Sequence, residues 1–449
     1  MLDALPLDAR VLAAAAALMA LPGVLVVRSP WRALPLLSLA FWVASWTWPL
    51  GGSRTQVLHV LLMVFGALAL FRIVRPGPLP RLGRAQMLVV VGAILLAVPQ
   101  ARRVVPPGTR PPVDALAAEL LAWHDGWPAS FEPLSPRQPF QASGLAAIAA
   151  DVILLTGAPA HRAVFAVKVA ADALLLLALW SLAGTRAPAG RAAVVAAAAL
   201  LPAAAVAEAS GVLASAFAVE AVALFHDRRG HPSAFTAGAC VAAAMTTDVT
   251  TAPCALLLAS LFARIAPDPV VDAAPASPVP GRLRTAAWTA AMLALPLVWR
   301  VPPVEAPDAA SLAAVGLTGL LGLAARRRSV AEWRVVASGL LVMAAGGAFL
   351  GRAADDVVTR DEEAAMTWVR DHARPLDLVC APDVPAASWI PAIAGRRATV
   401  PMGRGWPVPA GECAVRISLS GLAPPGAAPV DAPAFRAGQA VVWTASQGR

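Results

Sequence analysis

The sequence predicts an all-α polytopic membrane domain followed by a small C-terminal external α/β domain. The membrane domain is expected to hold about twelve transmembrane helices and one re-entrant or interfacial helix. Three observations predict it. Of 449 residues, 58% are hydrophobic and 14% charged, with a mean hydropathy of +0.67. Apolar runs of about 17–25 residues recur, the length that crosses a hydrocarbon layer. Arginines gather in the short connections between those runs, where positive charge sets topology. The net charge of +9 therefore gives no reason to expect a nucleic acid partner.

The apolar runs lie near 10–28, 33–50, 55–72 and 85–100. After a polar interruption they resume near 161–183, 190–207, 210–226, 232–247, 249–265, 284–299, 309–325 and 333–351. MLDALPLDAR has no basic n-region or cleavage site, so no removable signal peptide is expected. Arg28 with Arg32, Arg72 through Arg84, Arg186 with Arg191 and Arg228 with Arg229 mark successive connections. Arg264 through Arg284 and Arg326 through Arg334 mark later ones. All share one side if both termini are external and residues 143–157 do not cross, and the positive-inside rule makes that side cytoplasmic. At about 14 residues, 143–157 is short for a span. Lys168 and Asp172 stand four residues apart inside one span, which suits a buried ion pair. Glu220 lies within another.

The polar stretch 106–157 organises the chain. Asp114, Glu119, His124, Asp125 and Glu132 sit among Trp123, Trp127 and Phe131, with Pro and Gly between them. Asp114 follows the rigid PPGTRPP and is placed as the N-cap of an amphipathic helix lying on the interface, with Trp123 and Trp127 as anchors. Its carboxylate suits a base, or a ligand to a divalent metal (Mg or Mn) held against a phosphate. Arg102, Arg103, Arg110 and Arg137 either snorkel from helix ends or bind that phosphate, with Glu119 and His124 beside them. Glu208 and Asp248, at external span ends, are secondary acidic candidates.

The tail, 352–449, changes character. DEEAAMTWVRDHARP places Ala365, Trp368 and Val369 at helical spacing, with acids early, Arg370, His372 and Arg374 late, and Pro375 as a stop. LDLVC, RATVP, CAVRISL and QAVVWTA read as strands between turns. Arg396 and Arg397 read as a solvated loop or a phosphate contact. Trp389 and Ile390 are expected to be partly buried against the organising stretch. Cys240 and Cys254, in apolar runs, read as packing residues. An oxidising compartment permits a Cys380–Cys413 disulfide without requiring it.

PVDALAAELLAWHDGWPASFEPLSPRQPFQASGLAAIAADVILLTG resembles the first external loop of GT-C glycosyltransferases. The resemblance maps an Asp opening a juxtamembrane helix to Asp114, and a G.P turn to Gly126 and Pro128. It maps a Pro-rich turn to Pro133 through Pro139, and a small-residue helix to Gly144 through Gly157. EEAAMTWVRDHARPLDLVCAP and ASWIPAIAGRRATVP are similar to the run after the last span in bacterial members. Where relatives carry a second acid or a His within a turn of the Asp, this chain has Ala115, Leu116, Ala117 and Ala118. The resemblance implies an inverting transfer from a polyprenyl-phosphate sugar to a lipid, glycan or protein acceptor, at the external face of a bacterial inner membrane. Two other readings stand beside it: a transporter or flippase of a lipid-linked solute, suggested by Lys168, Asp172 and Glu220, and a non-catalytic partner that kept the fold. An alkaline phosphatase fused after Gly351 is expected to be active. An inactive fusion there, with a cytoplasmic reporter active instead, would contradict the topology.

Overall fold

The computed structural model describes residues 7–21, 60, 64, 67, 104–106, 111–124, 130–132, 134, 144–182, 209–226, 231–247, 252, 255–256, 357–399, 413–422 and 433–444. The helices are α1 (Leu7–Leu21), α2 (Pro111–His124), α3 (Gly144–Thr156), α4 (Ala160–Leu182), α5 (Ala209–His226) and α6 (His231–Thr247). In the tail come α7 (Arg360–His372), a 3₁₀ turn (Pro385–Trp389) and α8 (Ile390–Ala394). Five strands follow or interleave: β1 (Leu378–Cys380), β2 (Arg397–Ala398), β3 (Val415–Ser418), β4 (Phe435–Ala437) and β5 (Ala440–Thr444).

The helices α4, α5 and α6 coincide with three of the apolar runs. Among the described residues no single helix is long and apolar enough to cross a membrane, while α3 and Ala160–Leu175 together pass that test as a pair bent by 117°. By itself α3, at 13 residues, spans about 20 Å against a hydrocarbon thickness of about 30 Å. Its far end breaks at Gly157, whose φ of +66° is one glycine adopts without a Cβ penalty. The Gly157 N–H donates to Ile153 O at 2.7 Å, and the Thr156 hydroxyl donates to Val152 O at 2.6 Å. This closes the helix C-terminus in a left-handed cap.

From that elbow α4 runs through the middle of the helices, packed against α1, α2, α3 and α5. Lys168 Nζ meets Asp172 Oδ2 at 3.0 Å on α4, the i,i+4 pair expected from spacing. Both are shielded from solvent, as is Glu220 on α5. Val11, Leu116, Ile148, Val164 and Phe217 join one buried cluster that also takes in the tail.

In the tail the sheet order is β2-β1-β3-β5-β4. β1 pairs in parallel with β2 and β3, while β5 runs antiparallel to β3 and β4. The parallel β1–β2 pair requires a crossover, and the 3₁₀ turn with α8 supplies it. Four of the strands lie in the segments read from sequence; β4 was not foreseen. Trp389 and Ile390 are 0% and 1% exposed, not partly buried as expected, because α8 packs on α2 and α7. Cys380 and Cys413 form a disulfide across 33 residues. Arg396 is half-buried and its guanidinium is engaged by the backbone. Its guanidinium donates to Arg370 O at 2.7 Å, Gly395 O at 2.9 Å and Ala373 O, satisfying carbonyls left open at helix ends. Arg397 likewise donates to Leu376 O.

Helix α7 starts with a capping box. The Thr359 hydroxyl accepts from the Glu362 N–H, and Glu362 Oε2 accepts from the Thr359 N–H at 2.7 Å. The other Glu362 oxygen accepts from the Ser420 N–H at 2.6 Å and its hydroxyl at 3.1 Å. Ser420 and Gly421 have φ of 53° and 73°, the signature of a type I′ turn between Leu419 and Leu422. A non-glycine residue there costs about 1–2 kcal/mol, which the carboxylate offsets. Glu362→Ala is therefore expected to accelerate hydrogen exchange across residues 360–372 by about 10–10²-fold, since hydrogen bonds to a charged group contribute about 1.5–3 kcal/mol. Unchanged exchange would show that the carboxylate holds nothing.

Candidate active site

Asp114 lies in the first turn of α2, and it is not the N-cap expected from sequence. Pro111 and Pro112 are already helical, because proline fixes the helical φ and the first N–H groups need no partner inside the helix. The carboxylate nevertheless stands near the positive end of the helix. It is 3% exposed.

The helix is covered over more of its surface than a one-sided amphipathic pattern implies. Residues 114–118 are all buried, since α3 and α4 cover part of α2 and the tail's α8 covers more. Trp123 alone among its large apolar residues is strongly exposed, at 71%. Phe131, at 1% exposure, joins the same core.

Where α2, α4 and α7 meet, charges cross between the tail and the helices. The elbow at Gly157 places His161 and Arg162 in the first turn of α4, where Pro159 O accepts from the N–H groups of Arg162 and Ala163. His161 Nε2 lies 2.7 Å from Glu363 Oε1. Arg162 grips the same carboxylate as a fork, Nη2 to Oε2 at 2.9 Å and Nε to Oε1 at 3.3 Å. Seven residues along α7, Arg370 Nη2 meets Glu119 Oε1 at 3.3 Å. Trp368 stacks on His372 and on Phe435, with centroids 4.3 and 5.8 Å apart, on another side of α7.

These surroundings move the two carboxyls in opposite directions. Burial works to raise Glu363, but the hydrogen bond and charge of His161 and the Arg162 guanidinium outweigh it and hold the group below the usual range. Burial raises Glu119 above that range, and Arg370 offsets only part.

Of the other residues singled out from sequence, His124 is the last residue of α2. Arg102, Arg103, Arg110, Arg137, Glu208 and Asp248 lie outside the described residues. Glu119 pairs with Arg370 across the tail contact. Among the described residues no group of three or more His, Cys, Asp or Glu could hold a metal ion. Sequence reading missed His161, Arg162 and the buried Asp151 of α3. The available signal for the first two was a charged pair opening an apolar helix directly after a Gly-Ala-Pro break.

Comparison with protein-family models and with curated proteins finds no match to this chain.

A carboxyl held below its usual range contributes stability that is complete above its unfolded value, about 4.3, and is lost as pH falls through the folded value. Glu119, shifted upward, has the opposite sign: its contribution is lost as pH rises. Tail docking is therefore expected to weaken below about pH 4, followed by limited proteolysis of the tail. Glu363→Gln should abolish that acid dependence, whereas Glu119→Gln should leave it in place. A Glu363→Gln profile matching wild type would assign the acid limb elsewhere.

Proposed function

We propose that the chain is a membrane glycosyltransferase of GT-C type, moving a sugar from a polyprenyl-phosphate donor to an acceptor at the external face of the inner membrane. The observation that carries this reading is the seat of Asp114. It is a carboxylate buried in the first turn of a helix held by α3 and α4 and by the tail's α8. A group fixed from several sides is pre-organised, and positioning is a large part of catalysis.

In the proposed step the acceptor hydroxyl oxygen attacks the anomeric carbon as its proton passes to Asp114. The bond from that carbon to the phosphate oxygen breaks, polyprenyl phosphate leaves, and the anomeric configuration inverts. The Cys380–Cys413 bond supports an external tail, because disulfides persist in oxidising compartments. Lys168 and Asp172 pair within one helix at 3.0 Å, the arrangement of a structural ion pair, and we therefore rank the transporter reading second.

Asp114→Asn keeps the shape and the local polarity but removes the charge. Transfer from a radiolabelled polyprenyl-phosphate sugar by the purified full chain is expected to fall about 10²–10⁴-fold, the usual worth of a positioned proton acceptor. Melting should stay near wild type. Full transfer by the variant would refute the role of Asp114. Absence of transfer by wild type across a panel of donors would favour a non-catalytic partner.

A further inference from the structure

Neighbouring acids on α7 divide their work. The Glu362 carboxylate serves the tail itself, bonding Thr359 and Ser420. Among the described residues the Glu363 carboxylate meets side chains of α4, His161 and Arg162. What receives it has the features of an anion site. Arg162 presents two N–H groups in the fork that matches phosphate as well as carboxylate. The N-terminus of a 23-residue helix lies behind it. His161 is 3% exposed and brings its Nε2 to the same carboxylate at 2.7 Å, so the group seated there meets a guanidinium and an imidazole together. Arg370 and Glu119 flank the site as a separate pair.

We propose that His161 and Arg162 form a phosphate site at the start of α4, and that the Glu363 carboxylate occupies it when the tail is docked. The ligand class is a monophosphate, free or carried on a polyprenyl lipid; the lipid form rests on the transferase reading above. Phosphate and tail then compete for one pocket. Binding of donor loosens the tail over α2, and redocking of the tail displaces the phosphate product.

Competition has a signature that a plain structural ion pair lacks: removing its two partners changes binding in opposite directions. Binding of polyprenyl monophosphate and of inorganic phosphate is measured on the full chain in nanodiscs. Glu363→Gln is expected to tighten binding about 5–50-fold and Arg162→Ala to weaken it by a similar factor, the usual range for coupled equilibria. Glu363→Asp, which keeps the charge but shortens its reach, should also tighten binding, and it covers the case in which the Gln variant disturbs the tail. Binding by Glu363→Gln and Glu363→Asp no tighter than wild type overturns the proposal. The same order with both probes assigns the pocket to a free anion, and the order with the lipid alone assigns it to a headgroup. The opposed shifts without sugar transfer would keep the site and remove the transferase; transfer without the shifts would do the reverse.

Discussion

The left-handed backbone at Gly157 is the constraint on which the described helices depend. It lets a helix of 13 residues end in a closed cap and hand the chain to α4 at 117°. A straight continuation would carry His161 and Arg162 along the axis of α3 and away from the tail. With the bend they form the first turn of the helix that α1, α2, α3 and α5 all pack against. The angle is thus set locally, by one residue without a Cβ, and its effect is felt where the tail docks.

The docking surface joins two kinds of contact of unequal worth. Burial of α8 against α2 is apolar: Trp389, Ile390 and Ile393 are nearly inaccessible, and such side chains contribute about 1.5–3 kcal/mol each when fully buried. The Arg370–Glu119 pair is partly solvated and contributes about 0–1 kcal/mol. The Glu363 fork lies between these. Its geometry is good, but charges removed from water recover little more than their desolvation cost. Apolar packing therefore supplies most of the adhesion, and the charges supply register and responsiveness.

Of the twelve expected apolar spans most lie outside the described residues; the helices α4, α5 and α6 were legible in the sequence, for a physical reason. Apolar run length is a collective property of about 20 residues, so α4, α5 and α6 survive any single odd residue. Pro375 and the acid-to-base gradient bounded α7 almost to the residue, because both act within one turn of backbone. β4 was missed because three residues, Phe435–Ala437, carry too little pattern to separate from a turn. The start of α2 was misjudged because Asp114 and the two prolines before it are both start signals, and only the prolines obey the local rule. The site was least legible. His161 and Glu363 are 202 positions apart, and nothing in the chemistry of either announces the other. Arg396 and Arg397 looked available for a ligand because loop arginines usually are. That each would be consumed by backbone carbonyls depended on where two helices happened to end.

The Cys380–Cys413 bond has a bearing on how the tail meets the helices. The 33-residue separation it closes contains the 3₁₀ turn and α8, so the segment that presses on α2 belongs to a covalent ring rooted in β1 and the approach to β3. Much of that ring's freedom is removed before any encounter, and docking then orders few further torsions, as with a cyclised ligand. Detachment has the complementary property. In the competition proposed above, the face that leaves α2 would stay closed in that ring.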